Sequence, residues 1–357
     1  MTKVQLDADE LKRFSFSVWS YKQGEMVSLM IHIGDRLGLY RALSGEAPMT
    51  AAELANKTGL KERWLFEWLR GQAAARLLNY HDKDKFELSA VGAAVLADEN
   101  DSLSFAAGAF SGSTPPETLE KIIDAFRTGI GLSYDELGAN AAHRTERMLG
   151  PWVRQALVPQ ILPALEGVVE KLENGALVAD VGCGGGLAIS AMAGAFPNSE
   201  FHGYDPSTHA INNCNAKIDT LNLSNMKTFI AGGKDLPQNE TYDFVITFDC
   251  MHDMTQPAEV AAAIHRSLKK DGTWLIKDIR SQPDFKKNMR NPLLAMFYGF
   301  SVSACMSSAL SEPNGAGLGT LGFNPDVAES MIKKAGFSSF LQHDFDDPSN
   351  LYYEVRP

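Results

Sequence analysis

The stretch VADVGCGGG from Val178 to Gly186, followed by Asp205 about 20 residues past its last glycine, constrains this chain more than any other segment. An apolar run enters a cluster of glycines, a helical stretch follows, and a second apolar run, FHGYD, ends in an acid. That order is the strand, turn, helix, strand unit of an open α/β sheet, and it specifies a nucleotide-type pocket at the strand ends. Gly182, Gly184, Gly185 and Gly186 remove side chains so that a ligand can approach the backbone, while the amides opening the next helix can accept an anionic group.

Asp180 narrows the ligand. A carboxylate at the tip of the first strand repels a pyrophosphate, and it suits the ammonium and sulfonium cations of S-adenosylmethionine. The methionine carboxylate then falls to the helix amides, and Asp205 is placed to accept two ribose hydroxyl hydrogen bonds. Asp180, Gly182, Cys183, Gly184, Gly186 and Asp205 are therefore the expected cofactor-binding residues of this turn.

Composition permits this reading. The chain has 357 residues, enough for two domains and a large core, and 45% hydrophobic with 22% charged residues is ordinary for a globular protein. A formal net charge of -11 argues against a general binder of nucleic acid or anionic membrane. Cys183, Cys214, Cys250 and Cys305 contain no CxxC pair, so neither a disulfide framework nor a zinc site is suggested, and reduced thiols in the cytoplasm are expected. No run of 18 or so apolar residues and no leader-like apolar region appears, so neither a membrane span nor secretion is expected.

Ahead of the glycine turn, Gly24 to Leu43 carries apolar residues at helical spacing, with His32 read as a packed, hydrogen-bonded histidine. The next segment reads as helix, turn at Gly59, second helix, and two short strands joined by HDKDK, the outline of a winged helix-turn-helix. Its second helix is rich in Trp64, Leu65, Trp68 and Leu69, and Glu62 and Glu67 offset Arg63 and Arg70. It lacks the basic stripe that DNA binding needs, and packing against a second copy of the chain or covering the catalytic domain is the expected use. Three parts are expected: a helical and winged-helix dimerisation domain over 1–100, a helical connector over 101–174 that lines the substrate pocket, and a cofactor-binding domain over 175–357 with a cap insertion at about 280–324. A single helix is expected from Pro151 to a stop at Gly175. Beyond it lie parallel strands near 176–181, 199–204, 227–231, 242–248 and 272–278, then a helix and an antiparallel pair.

The apolar strand YDFVITF ends in DCMHDM at the carboxyl edge of the sheet, where ligands bind in such folds. Phe248 and Asp249 are expected beside the cofactor, with His252 pointing past it toward the methyl acceptor. An imidazole there can take the proton of an attacking hydroxyl, thiol or amine, and Asp278, ending the next strand, can hold it in one tautomer. His81, His143, His202, His209, His265 and His343 share no ligand spacing, and no metal site is expected. Met296, Phe297, Tyr298, Phe300 and Met306 in the insertion are read as core at helical spacing or as an adaptable apolar lid.

With these residues in view, the chain resembles class I S-adenosylmethionine-dependent methyltransferases over essentially its whole length. A winged-helix region before the catalytic domain and the HDM segment after the fourth strand make it similar to small-molecule O-methyltransferases and bacterial winged-helix methyltransferases. The resemblance implies a Rossmann-like α/β domain behind a helical winged-helix domain, a homodimer, and a small-molecule methyl acceptor. It also implies a general base at His252 with an acid at Asp278, and a contact of Asp235 with the adenine amino group. Met254 stands where the O-methyltransferases carry tryptophan, Phe248 where many carry lysine, and Asp278 is shorter than their glutamate. Oxygen is the first-choice acceptor, with nitrogen or sulfur next. A ligand-sensing transcription regulator is the reading from a different class.

Overall fold

The computed structural model describes residues 6–357, the side chains of 139–144 excepted, so His143 lies outside the described residues. The chain divides into two compact units, Met1–Ser113 with Arg147–Pro151, and Thr114–Glu146 with Trp152–Pro357.

The first unit is helical with a small wing. Helix α1 (Ala8–Arg36) starts where the Asp7 carboxylate accepts the N–H groups of Asp9 and Glu10, and α2 (Leu39–Leu43) follows a left-handed Gly38. Helix α3 (Ala51–Thr58) opens with a Thr50/Glu53 capping box and stops at Gly59; α4 (Glu62–Ala74) and the antiparallel pair β1 (Asn79–His81) and β2 (Lys85–Glu87) come next, with α5 (Ala90–Leu96) after them. This is the expected winged helix-turn-helix outline. Tyr40, Leu54, Trp68, Leu69 and Phe86 form its core, with Trp68 Nε1 donating to Met30 O at 2.9 Å. His32 Nδ1 lies 3.1 Å from Phe110 O, the packed histidine its surroundings predict. On α4, Arg63 pairs with Glu67 at 2.6 Å and Arg70 with Asp84 at 2.7 Å, both on the exposed surface.

In the second unit come α6 (Pro116–Thr128), α7 (Tyr134–Leu137) and α8 (Ala139–Trp152), the last of which also supplies Arg147–Pro151 to the first unit. The single helix expected from Pro151 to Gly175 is broken. A wide π turn spans Val153–Ile161, a 3-10 turn covers Leu162–Ala164, and α9 (Val168–Asn174) restarts after a left-handed Gly167. Pro159 and Pro163 each lack an N–H and crowd the preceding turn, which is why the ladder fails there.

The seven-stranded sheet comprises β3 (Leu177–Val181), β4 (Glu200–Asp205), β5 (Met226–Ile230), β6 (Tyr242–Phe248), β7 (Leu268–Ile279), β8 (Ser339–His343) and β9 (Asn350–Arg356). Its order is β5-β4-β3-β6-β7-β9-β8, parallel through β7, with β9 antiparallel to both neighbours. The crossovers α10 (Leu187–Ala195), α11 (Thr208–Leu221) and α12 (Pro257–Ser267) bury both faces, which is why the central strands are apolar throughout. One apolar cluster holds Val178, Phe244, Ile246 and Leu275; the other holds Ala179, Val181, Val245 and Ile276. The strand order reverses at β3 and β6, so their carboxyl ends flank the crevice in which such sheets bind ligands. The insertion after β7 folds as α13 (Phe285–Asn288), α14 (Leu294–Phe300), a π turn over Ser301–Cys305 and α15 (Met306–Ala309), and α16 (Pro325–Lys334) precedes the final pair. No helix among the described residues is long and apolar enough to cross a membrane.

Candidate active site

The glycine turn is built as its sequence requires. Gly182, Gly184 and Gly186 have φ of 79°, 52° and 75°, in the left-handed region where a Cβ is strained. The N–H groups of Gly182 and Cys183 both donate to Tyr204 O, at 2.8 and 3.1 Å, tying the turn to β4. The Cys183 side chain is buried, and the neighbouring Cys214 thiol together with burial raises its pKa well above the ordinary range.

Asp205 closes the turn from the other side. Its carboxylate accepts Gly184 N–H at 2.9 Å and Ser207 N–H at 2.8 Å; burial raises its pKa against the lowering effect of those two donors. Asp180 is 2% exposed, and among the described residues no group hydrogen-bonds its carboxylate. Burial, with the charge of Asp205 adding to it, pushes Asp180 up to about 8. A buried carboxyl with no partner beside a second acid is costly to ionise without a cation near it. Glu146 and Lys217, which sequence reasoning passed over, stand at the same turn: a Cβ on Gly185 would meet Glu146 Oε2 at 2.7 Å, and Lys217 pairs with Glu146. Burial lowers the Lys217 ammonium to about 8.

The loop after β6 packs onto this turn. Cys250 Sγ lies 3.2 Å from Val181 O, and a Cβ at Gly182 would strike Cys250, with Met254 next to it. His252 and Asp278 meet: Nδ1 and Oδ1 are 2.6 Å apart, with the side chains 3% and 1% exposed. An ionised carboxylate only accepts, so Nδ1 carries a proton, and in the neutral ring Nε2 is the nitrogen with the lone pair. Asp278 Oδ1 also accepts Ile279 N–H at 2.7 Å, while Oδ2 is buried with no partner. Burial alone would lower the His252 pKa; Asp278 and the Cys305 thiol outweigh it and hold it well above the usual value. Cys305 comes from the insertion and Asp253 from the loop itself, where it accepts the Tyr134 hydroxyl at 2.7 Å. Burial and Asp253 keep that phenol protonated.

Three further predicted residues have partners of their own. The Asp249 carboxylate is taken by Lys277 and by Asn350 Nδ2, and Lys277 Nζ lies 4.7 Å over the Trp152 ring. Phe248 packs edge-on against the same ring at 5.1 Å. These side chains form a buried ion pair and its apolar wall. Asp235 is exposed and turned back on its own loop, accepting Gly232 N–H at 3.1 Å.

Residues 172–310 match the family model for a methyltransferase domain, and residues 25–98 match that of the Rv2258c-like winged helix-turn-helix domain. The chain carries a methyltransferase domain. Several solved structures share the fold of this methyltransferase. A candidate O-methyltransferase from Nostoc punctiforme PCC 73102 is 17% identical with a TM-score of 0.72, covering 99% of this chain and 100% of that one. Human N-acetylserotonin methyltransferase in complex with S-adenosylmethionine is 15% identical with a TM-score of 0.66, covering 100% and 99%. The mitomycin 7-O-methyltransferase is 18% identical, also at 0.66, covering 98% and 100%. No curated protein sequence matches this methyltransferase.

Tyr134, Asp253, Cys305 and Lys277 carry no mark in the sequence that assigns them to the site. Asp253 adjoins His252, but Tyr134 and Cys305 arrive from distant segments, and only folding brings them to the loop.

Proposed function

We propose that this methyltransferase, which acts on small molecules, methylates a hydroxyl with His252 as general base. The observation that carries this reading is the 2.6 Å contact of His252 with Asp278 at the carboxyl edge of the sheet, beside the glycine turn. S-adenosylmethionine, when bound, supplies an electrophilic methyl on a good leaving group. Asp180 would meet its cationic end, the glycine turn would receive its carboxylate, Asp205 would take the ribose hydroxyls, and Asp235 would take the adenine amino group. Nε2 of the neutral His252 ring would accept the acceptor's proton as its oxygen bonds to the methyl carbon and the methyl–sulfur bond breaks, its electron pair staying on sulfur to leave S-adenosylhomocysteine, and Asp278 would stabilise the imidazolium that results. The raised proton affinity of His252 suits a weakly acidic hydroxyl.

The connector over 101–174 and the insertion over 280–324 form the acceptor's walls in this reading. Leu132 N–H donates to Ser307 Oγ at 2.8 Å, and Met296 and Tyr298 are 43% and 44% exposed, which suits a lid more than a core. A second copy of the chain covers α1, where Phe14, Phe16, Trp19 and Tyr21 are at least 68% exposed, completing a homodimer.

The test is methyl transfer from labelled S-adenosylmethionine to a panel of phenols, alcohols, amines and thiols. His252→Ala is expected to lower turnover of the hydroxyl acceptor by about 10²–10⁴-fold with product-cofactor affinity unchanged. Equal turnover of wild type and variant removes His252 as base.

A further inference from the structure

We propose that His252, Asp253 and Cys305 form a binding site for a divalent transition-metal ion of the zinc class. A ring nitrogen of His252, an oxygen of Asp253 and Sγ of Cys305 all lie within 4.8 Å of one another. Imidazole, carboxylate and thiolate are the ligand types zinc takes, and bonds of about 2.0–2.3 Å put neighbouring ligand atoms roughly 3.5 Å apart. Small side-chain rotations on the scale of about 1 Å close the set around an ion. Three protein ligands leave a fourth position for water or an acceptor atom.

The surroundings support ligation independently of that spacing. Asp278 holds Nδ1 of His252 and so aims Nε2 away from itself, the carboxylate–histidine arrangement that orients metal-bound imidazoles. Tyr134 in turn fixes Asp253 by donating to Oδ2 at 2.7 Å. Charge is unbalanced as well. Asp253 and Asp278 are 8% and 1% exposed, and among the described residues neither forms an ion pair with a lysine or arginine; the nearby Lys277 is taken by Asp249. Two buried carboxylates and a thiol, with one imidazole paired to Asp278 and neutral donors on the carboxylates, make a pocket that a dication neutralises.

Occupancy has a consequence for the chemistry. A metal ion on Nε2 takes the lone pair that a general base needs, so metal binding and base catalysis by His252 exclude each other. The ligand set stands whether or not His252 acts as a base.

Cobalt(II) is the probe, added to full-length protein freed of metal by a chelator. One equivalent is expected to produce visible bands of tetrahedral intensity with a near-ultraviolet thiolate-to-cobalt charge-transfer band, and zinc displaces both. Cys305→Ser abolishes the charge-transfer band while S-adenosylhomocysteine binding, measured by calorimetry, reports that the variant is folded. Asp278→Asn weakens cobalt by about 10–100-fold with the band retained, as expected of a residue that positions a ligand. If Cys305→Ser fails to bind S-adenosylhomocysteine, Asp253→Asn carries the test, with the band kept and cobalt affinity at least tenfold lower. No charge-transfer band at one equivalent, or a band that survives Cys305→Ser, overturns the proposal. Both outcomes are independent of finding the methyl acceptor.

Discussion

Asp180 lies beneath the glycine turn with no described group hydrogen-bonded to its carboxylate, while Asp205, one strand over, is held by the N–H groups of Gly184 and Ser207. The two acids are thus prepared differently. One has no donor to orient it, and the other is held in place by two backbone N–H groups.

Affinity for S-adenosylmethionine should rise with pH and level off above about 8. Asp180 in the free site titrates near 8, so below that value binding the cation requires loss of a proton. Calorimetry at pH 7 in buffers of different ionisation enthalpy should show a proton released on binding, and Asp180→Asn should abolish it. The same shift acts on stability. The folded carboxyl keeps a proton that the unfolded one gives up near its usual value of about 3.9, so stability of the free protein falls as pH climbs from there toward about 8.

Asp205→Ala should weaken S-adenosylmethionine by about 1–3 kcal/mol, since two ribose hydroxyls lose an acceptor and two backbone N–H groups are orphaned together. Calorimetric titration of the variant at pH 8.5, where Asp180 is ionised, isolates this effect. An unchanged dissociation constant counts against Asp205 as the ribose ligand.

Lys277→Ala should cost about 3–5 kcal/mol in urea unfolding, because it strands the buried Asp249 carboxylate. Replacing both members, as Lys277→Met with Asp249→Leu, should recover much of that loss, and the double-mutant cycle measures the coupling. Additive losses would mean that the pair is not the source.

Gly186→Ala should destabilise the protein by about 2–4 kcal/mol, combining a left-handed backbone cost with overpacking. Its Cβ would collide with Cys214 Sγ, which is buried in α11 and cannot withdraw. Denaturant unfolding without cofactor separates this from any loss of binding.

Much of the fold is legible in local pattern. Strand β6 falls at 242–248 as its apolar run predicts, and β8 and β9 close the edge as an antiparallel pair. The winged-helix outline follows from Thr50, Gly59 and the HDKDK tip, each a signal carried within a few residues. Pattern failed between Val153 and Ala164, where apolar periodicity continues through prolines that the backbone cannot accept as one helix.

The sequence by itself determined the strand, glycine turn and acid order that makes an S-adenosylmethionine crevice, because backbone conformation, strand alternation and charge sign are local properties of residues such as Gly182, Asp180 and Asp205. Tertiary structure decided which polar groups answer one another. His252 and Asp278 were proposed as partners from adjacent strand ends, but the use of Asp249 by Lys277 and the arrival of Tyr134 and Cys305 beside His252 depend on where loops from distant segments land. Burial then sets their energetics, since the same carboxyl that titrates near 3.9 in water is pushed to about 8 once its strand is covered on both faces.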